Sequence, residues 1–255
     1  MPTSAGLYYF AHGASDATRP PIILIHGAGG HHLSWPPQVR RLPGERIFAV
    51  DLPGHGKSGG VGRHTIEDYA AAILDFVAAL KLSTVVLVGH SMGGAIALRA
   101  AIEAPDQMMG LGLLGSAARL RVSSRLLHAA ADPAKAAEAV HTVIEYSFAP
   151  GTSPRLKELV EQRMLETRPS VLYGDLLACD AFEEDAKISI PTLILFGELD
   201  RMVSPQAGKA LQGQIAGARF ETIPEAGHMV MLEQPELVAE RMSAFVKSIP
   251  YQPGK

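Results

Sequence analysis

Cysteine is almost missing from this 255-residue chain. Cys179 is the single one, so no disulfide forms within the chain and stability must come from a packed core. An excess of one charge is missing too: 23 Lys and Arg stand against 26 Asp and Glu, a formal net charge of −3. That balance leaves no electrostatic footprint for nucleic acid or an anionic membrane surface. Long hydrophobic runs are absent. Even Ala95–Ile102 is broken by Arg99, well short of the roughly 18 uninterrupted apolar residues of a membrane span. The N-terminus, Met1-Pro2-Thr3-Ser4-Ala5-Gly6, lacks the basic start and apolar stretch of a secretory signal. These absences predict a soluble, cytoplasmic protein with neither a nucleic-acid nor a membrane partner, and a lone cysteine fits a reducing compartment. With 47% hydrophobic and 19% charged residues, disorder, a coiled coil and a collagen-like chain are excluded as well.

What is present is a rhythm. Short apolar runs bounded by turn residues recur at Ile22–Ile25, Ile47–Val50, Val85–Val88, Leu111–Leu114, Leu193–Phe196 and Arg219–Ile223. Their length, β-branched content and Gly, Pro or Asp flanks read as strands. The first five, apolar without alternation, read as parallel strands covered on both faces. Leu7–Phe10 half-alternates and predicts an antiparallel edge strand. Helical patterns lie between: Thr65 caps one carrying Ile66, Tyr69, Ile73 and Leu80. A second runs from Met92 to about Glu103, and a last begins at Gln234-Pro235-Glu236. This alternation predicts an α/β fold with a mostly parallel central sheet flanked by helices. From Ala117 to Ala186 the strands stop, and four helical stretches follow: Arg121–Ala131, Pro133–Tyr146, Pro154–Thr167 and Ser170–Phe182. The expectation is a core built from residues 1–116 and 187–255, interrupted by a helical segment at 117–186.

Val85–Val88 leads into Gly89-His90-Ser91-Met92-Gly93 and then a small-residue helix. Strand, sharp turn and helix form the context in which G-x-S-x-G presents a nucleophilic serine. Bulk at either glycine would collide with the neighbouring strand and helix, and the helix N-terminus favours developing negative charge. Such a serine needs a base and a group that orients the base. His228, in the loop after Arg219–Ile223, is the candidate base. Asp200 and Glu198, in the loop after Leu193–Phe196, are the candidate acids. Loops at the carboxyl ends of parallel strands meet at one crevice, so these groups converge although far apart in sequence.

Other signals fail on context. Gly110-Leu111-Gly112-Leu113-Leu114-Gly115 spells a dinucleotide fingerprint but lies inside an apolar run instead of opening a helix. Asp51 to Ser58 ends like a phosphate loop, yet no helix follows at once, and it reads as a rigid turn. The ten histidines, including the adjacent pair His31-His32, lack metal-ligand spacing or a cysteine partner, so no metal is expected.

Five segments together resemble the α/β-hydrolase fold family over nearly the whole chain. They are His26-Gly27-Ala28-Gly29-Gly30, Asp51-Leu52-Pro53-Gly54-His55-Gly56-Lys57-Ser58, Gly89-His90-Ser91-Met92-Gly93, Phe196-Gly197-Glu198-Leu199-Asp200 and Ala226-Gly227-His228. The resemblance implies Ser91 as nucleophile, His228 as base and then acid, and Asp200 as its orienter. It also implies an oxyanion hole from the backbone N–H groups of Met92 and Ala28, with Gly29 as the alternative if the register slips by one. The helical segment is similar to the cap that the family inserts after its sixth strand. Gly29, Arg119, Val203 and Met229 are candidate substrate contacts, Arg119 because the Leu114–Arg119 stretch is similar to the lactonase subgroup.

Serine at the nucleophile position disfavours the family's dehalogenases and epoxide hydrolases, which use aspartate there. The expected reaction is cofactor-free hydrolysis of a carboxylic ester with a small-to-medium, largely uncharged acyl group, through an acyl-enzyme. Enol-lactonase-like and C–C bond hydrolysis are the alternatives within the family, the substrate being a small ester or lactone in the first two cases. A receptor or signalling module that retains the triad is the alternative from another class.

Overall fold

The computed structural model describes residues 2–13 and 19–250. Its strands are β1 (Thr3–Ser4), β2 (Leu7–His12), β3 (Ile22–Ile25), β4 (Ile47–Val50), β5 (Val85–His90), β6 (Met108–Leu114), β7 (Thr192–Gly197) and β8 (Arg219–Ile223). They form one sheet in the order β1-β2-β4-β3-β5-β6-β7-β8. β1 and β2 run antiparallel, and all pairings from β4 through β8 are parallel. Leu7–Phe10 is antiparallel as expected but is not the edge. Ala5 and Gly6 both take positive φ, 48° and 79°, a two-residue turn suited to a hairpin, and it folds Thr3–Ser4 back as the outermost strand.

The unbroken apolar runs have a physical reason. Along β3, Ile23 and Ile25 pack into one core cluster and Ile22 and Leu24 into another, one on each face of the sheet. Helices α2 (Ile66–Ala79) and α3 (Met92–Glu103) cover the first face, and α1 (Pro37–Arg40) meets α10 (Pro235–Ser248) on the second. Thr65 Oγ1 accepts from Asp68 N at 3.1 Å and so starts α2.

Between β6 and β7 lie α4 (Ser124–Ala131), α5 (Ala136–Ser147), α6 (Pro154–Leu165) and α7 (Pro169–Ala181). Pro154 and Pro169 occupy the first positions of their helices, where the missing N–H costs nothing. The segment leaves and re-enters at one place. An isolated antiparallel bridge joins Arg119 to Glu183, with Arg119 Nε 3.3 Å from Glu183 Oε2. Two short helices complete the chain, α8 (Pro205–Gln212) and α9 (Val230–Glu233).

Candidate active site

β5 ends at His90 and α3 begins at Met92, so Ser91 alone makes the turn. Its backbone sits at φ 53° and ψ −119°, a strained conformation for a residue with a Cβ, costing on the order of 1–3 kcal/mol. Surrounding bonds hold it: Ser91 N donates to Leu114 O at 2.8 Å, and Ser91 O accepts from Gly94 N at 2.9 Å. A side chain at Gly89 would overlap the carbonyl of Gly93, and one at Gly93 the carbonyls of Ile25 and His26. The spacing of the motif is thus dictated by close backbone approach.

His228 and Asp200 meet from neighbouring loops. His228 Nδ1 lies 2.8 Å from Asp200 Oδ2, while Asp200 Oδ1 accepts from Met202 N and Val203 N, each at 2.9 Å. Both side chains are buried. Glu198 forms no part of this pair and is exposed. The His228 backbone is held in turn by His90, whose Nε2–H donates to His228 O at 2.9 Å. Burial drives the His90 imidazole down to about 3, so it is neutral. Ser91 and His228 line the same cavity without a direct hydrogen bond, a contact that commonly tightens only around substrate.

The loop after β3 forms the facing wall. His26 is fixed by two contacts: Nδ1–H donates to Gly27 O at 2.8 Å, and Nε2 accepts from Leu52 N at 3.1 Å. It too is buried and held down to about 3 by desolvation, which matches a ring that must keep one nitrogen bare. The loop's amides differ in their freedom. Gly29 N donates to Asp175 Oδ2 at 2.8 Å, whereas Ala28 N and Met92 N donate to nothing among the described residues.

The cavity has a volume of about 620 Å³ and extends from Ser91 between the β3 loop and helices α4 to α7. Its lining is largely apolar, with Leu126, Leu156, Val160, Leu172 and Leu176 from the helices. Of the candidate contacts, Gly29, Val203 and Met229 line it. Arg119 does not; its guanidinium pairs with Glu183 on the surface, with more than half of each side chain exposed, so that expectation is corrected. Met202 also lines the cavity, while Met231 is core. Cys179 touches the cavity, but burial pushes its thiol well above the ordinary cysteine range, leaving the neutral form.

Two groupings escaped the sequence. His31, His32 and Asp51 bring ligand-type atoms within 4.8 Å of one another, although their spacing carried no metal signature. These atoms are already engaged. Asp51 Oδ1 accepts from His32 N and Nδ1 at 2.6 and 2.8 Å, its Oδ2 from Lys57 N at 2.8 Å, and His31 Nδ1 from Leu33 N at 3.1 Å. Burial opposes ionisation of Asp51, but the His32 and Lys57 hydrogen bonds outweigh it and hold the carboxyl below its usual range. The arrangement is a turn brace between Asp51 and Ser58, whose Oγ–H donates to Asp51 O at 2.6 Å. The second grouping is centred on Asp175, which is fully buried on α7. Its one sequence signal is a lone charge within the apolar run Val171–Cys179.

Comparison with known proteins agrees with this geometry. A model of the alpha/beta hydrolase family matches residues 22–241. The chain is 30% identical over 240 residues to 3-oxoadipate enol-lactonase 1 of Acinetobacter baylyi, covering 90% of each chain. It is 29% identical over 255 residues to a pimeloyl-[acyl-carrier protein] methyl ester esterase of Neisseria meningitidis, covering 91% of this chain and 78% of the other. Among solved structures, a thermophilic esterase from Thermogutta terrifontis superimposes with a TM-score of 0.83 at 26% identity, over 95% of this chain and 93% of that one. Among the described residues no helix is long and apolar enough to cross a membrane. A strained strand-to-helix serine, a parallel sheet that gathers its loops at one crevice and a match spanning most of the sequence lead to one conclusion: the chain belongs to the alpha/beta hydrolase family, as a hydrolase of the esterase and enol-lactonase kind.

Proposed function

We propose that this protein is a serine hydrolase that cleaves a carboxylic ester of a small-to-medium, largely uncharged acyl group through an acyl-enzyme on Ser91. The observation that carries the reading is the placement of Ser91, on its strained turn, in the same cavity as the His228–Asp200 pair. Ser91 Oγ attacks the ester carbonyl as His228 Nε2 takes its proton. Asp200 Oδ2 holds the Nδ1–H tautomer and stabilises the imidazolium. The oxyanion is met by the free amides of Ala28 and Met92; Gly29 N, engaged with Asp175, is not available to it. His228 then protonates the leaving alkoxide, and water repeats the sequence to release the acid. No step calls for a cofactor.

Residues 117–186 act as a cap whose leucines and valines receive the acyl chain. A volume of about 620 Å³ is typical of a pocket for a drug-sized ligand and exceeds what acetate needs. The buried, unpaired Cys179 suits a reducing cytoplasm. Lactone hydrolysis is the second reading, favoured by the 30%-identical enol-lactonase; it is the same chemistry on an internal ester. A panel of p-nitrophenyl esters from acetate to decanoate, beside a lactone panel, tests the proposal. Ser91→Ala is expected to lower turnover at least about a thousandfold, with the best substrate at butyrate or longer. Full turnover by Ser91→Ala would sink it.

A further inference from the structure

We propose that Asp175, carried on the cap, is a positioning residue for the oxyanion loop: it grips the Gly29 peptide and so holds the neighbouring Ala28 amide at the cavity. The proposal rests on the serine-hydrolase reading above. Asp175 Oδ2 accepts from Gly29 N and from His55 Nε2–H, each at 2.8 Å, and Oδ1 accepts from Tyr69 Oη–H at 2.5 Å. Three donors from three separate segments thus converge on one fully buried carboxylate. A buried carboxylate is costly unless paired and hydrogen-bonded, so these contacts fix where the loop and α7 sit relative to one another.

The charge on Asp175 has its counter-charge in place. His55 Nδ1 lies 3.1 Å from Pro53 O and its Nε2 faces the carboxylate. Both partners are acceptors, so both ring nitrogens donate and the ring is an imidazolium. Tyr69 Oη in turn accepts from Arg63 N at 2.9 Å, which aims its proton at Asp175. The Gly29 carbonyl, in the next peptide unit, is held from the cap as well, because Thr167 Oγ1–H donates to Gly29 O at 3.0 Å. Gly29 has φ +65°, a conformation that residues with a β-carbon rarely adopt, while Ala28 beside it lines the cavity. Gly29 is therefore clamped by the cap at both its N–H and its carbonyl, and its neighbour supplies the oxyanion donor. An amide that drifts from the oxyanion position costs rate in the transition state and little in ground-state binding.

The test compares Asp175→Ala and Asp175→Asn with the wild type on the best p-nitrophenyl ester. Rates are normalised to Ser91 titrated by a fluorophosphonate, so that unfolded enzyme does not count. A trifluoromethyl ketone, whose hemiketal adduct with the serine carries the oxyanion, serves as the transition-state probe. Asp175→Ala is expected to lower kcat per titrated site tenfold or more with KM within threefold, and to raise the ketone Ki in proportion. Asp175→Asn leaves one oxygen to accept from Gly29 N but removes the charge facing His55. It is expected to lose less, threefold or more in kcat, and it decides the matter if the alanine variant fails to fold. A role confined to stability would lower Tm and leave kcat per site and Ki unchanged. Values within twofold of wild type in the folded variants, or a loss carried wholly by KM, overturn the proposal. Failure of the wild type to label at Ser91 overturns the underlying serine-hydrolase reading as well.

Discussion

Acidification should unfold this protein through two histidines that the fold keeps neutral. His26 and His90 are both fully or almost fully buried, and both are held down to about 3 from an ordinary 6.5, first by desolvation and then by a neighbouring histidine. The sign follows from linkage. Below pH 6.5 the unfolded chain protonates these rings while the folded chain does not, so stability is present above 6.5 and is lost as pH falls towards 3. Each ring contributes about 1.4 kcal/mol per pH unit at full slope. Two give about 2.7, or roughly 4 kcal/mol between pH 6.0 and 4.5, a large part of the ~5–15 kcal/mol typical of a domain. His31, lowered by burial, adds in the same sense. Glu45, which burial raises, opposes it, because it takes up its proton earlier in the folded chain. His55 works the other way round. Burial disfavours its charge but Asp175 outweighs that and raises it, so its stabilisation is complete below 6.5 and is lost as pH rises through its folded value. Urea melts at pH 7.0, 6.0, 5.0 and 4.5 measure the slope. His90→Gln, which keeps a donor for His228 O but cannot charge, should remove about half of it. Stability flat within about 1 kcal/mol from pH 6.0 to 4.5, or an unchanged slope in His90→Gln, would be incompatible with this linkage.

Three further outcomes follow from contacts around the candidate site. Gly115 has φ +55°, and a β-carbon there would lie 3.0 Å from His228 Nδ1 and 3.4 Å from Asp200 Oδ2. Gly115→Val should cut kcat about a hundredfold by displacing the imidazole, more than the ~1–2 kcal/mol backbone penalty alone would show in a urea melt. Glu233 ties the loop that carries His228 to the turn between α5 and α6: Oε2 accepts from Gly227 N at 2.8 Å, and Oε1 from Ala149 N at 2.8 Å and Thr152 Oγ1 at 2.5 Å. Glu233→Ala, which leaves these donors unpaired, should lower stability by about 2–4 kcal/mol in the same assay; a loss below about 1 kcal/mol would contradict that role. Cys179, buried and held as the neutral thiol, should react with a water-soluble disulfide reagent only on unfolding, so rapid thiol release from the native enzyme would be the contrary result.

Much of the fold was legible in the sequence because burial on two faces leaves an unmistakable mark. Ile22–Ile25 and Ile47–Val50 are strands to the residue, since an apolar run without alternation has little else to be in an α/β chain. The outermost strand left no such mark: β1 has two residues, too few for any periodicity. The elbow around Ser91 was legible because steric exclusion writes itself as glycine at fixed spacing. The groups that hold the site were not. Asp175, Glu233 and Asp51 act on partners as distant in sequence as Gly29, Ala149 and His32, and a carboxylate carries no mark of whether it faces water or a buried amide. Arg119 shows the converse, since a basic residue near a predicted cap hinge suits a substrate carboxylate as well as it suits Glu183, and only the fold distinguishes them.

Whether Ser91 is the nucleophile is decided by a fluorophosphonate probe and mass spectrometry on the intact enzyme. One adduct is expected, mapped to the peptide carrying Ser91, with parallel loss of ester turnover. Ser91→Ala should abolish the adduct, and His228→Ala should slow its formation. No adduct on a folded enzyme that turns over esters, or an adduct elsewhere with activity retained in Ser91→Ala, would contradict it.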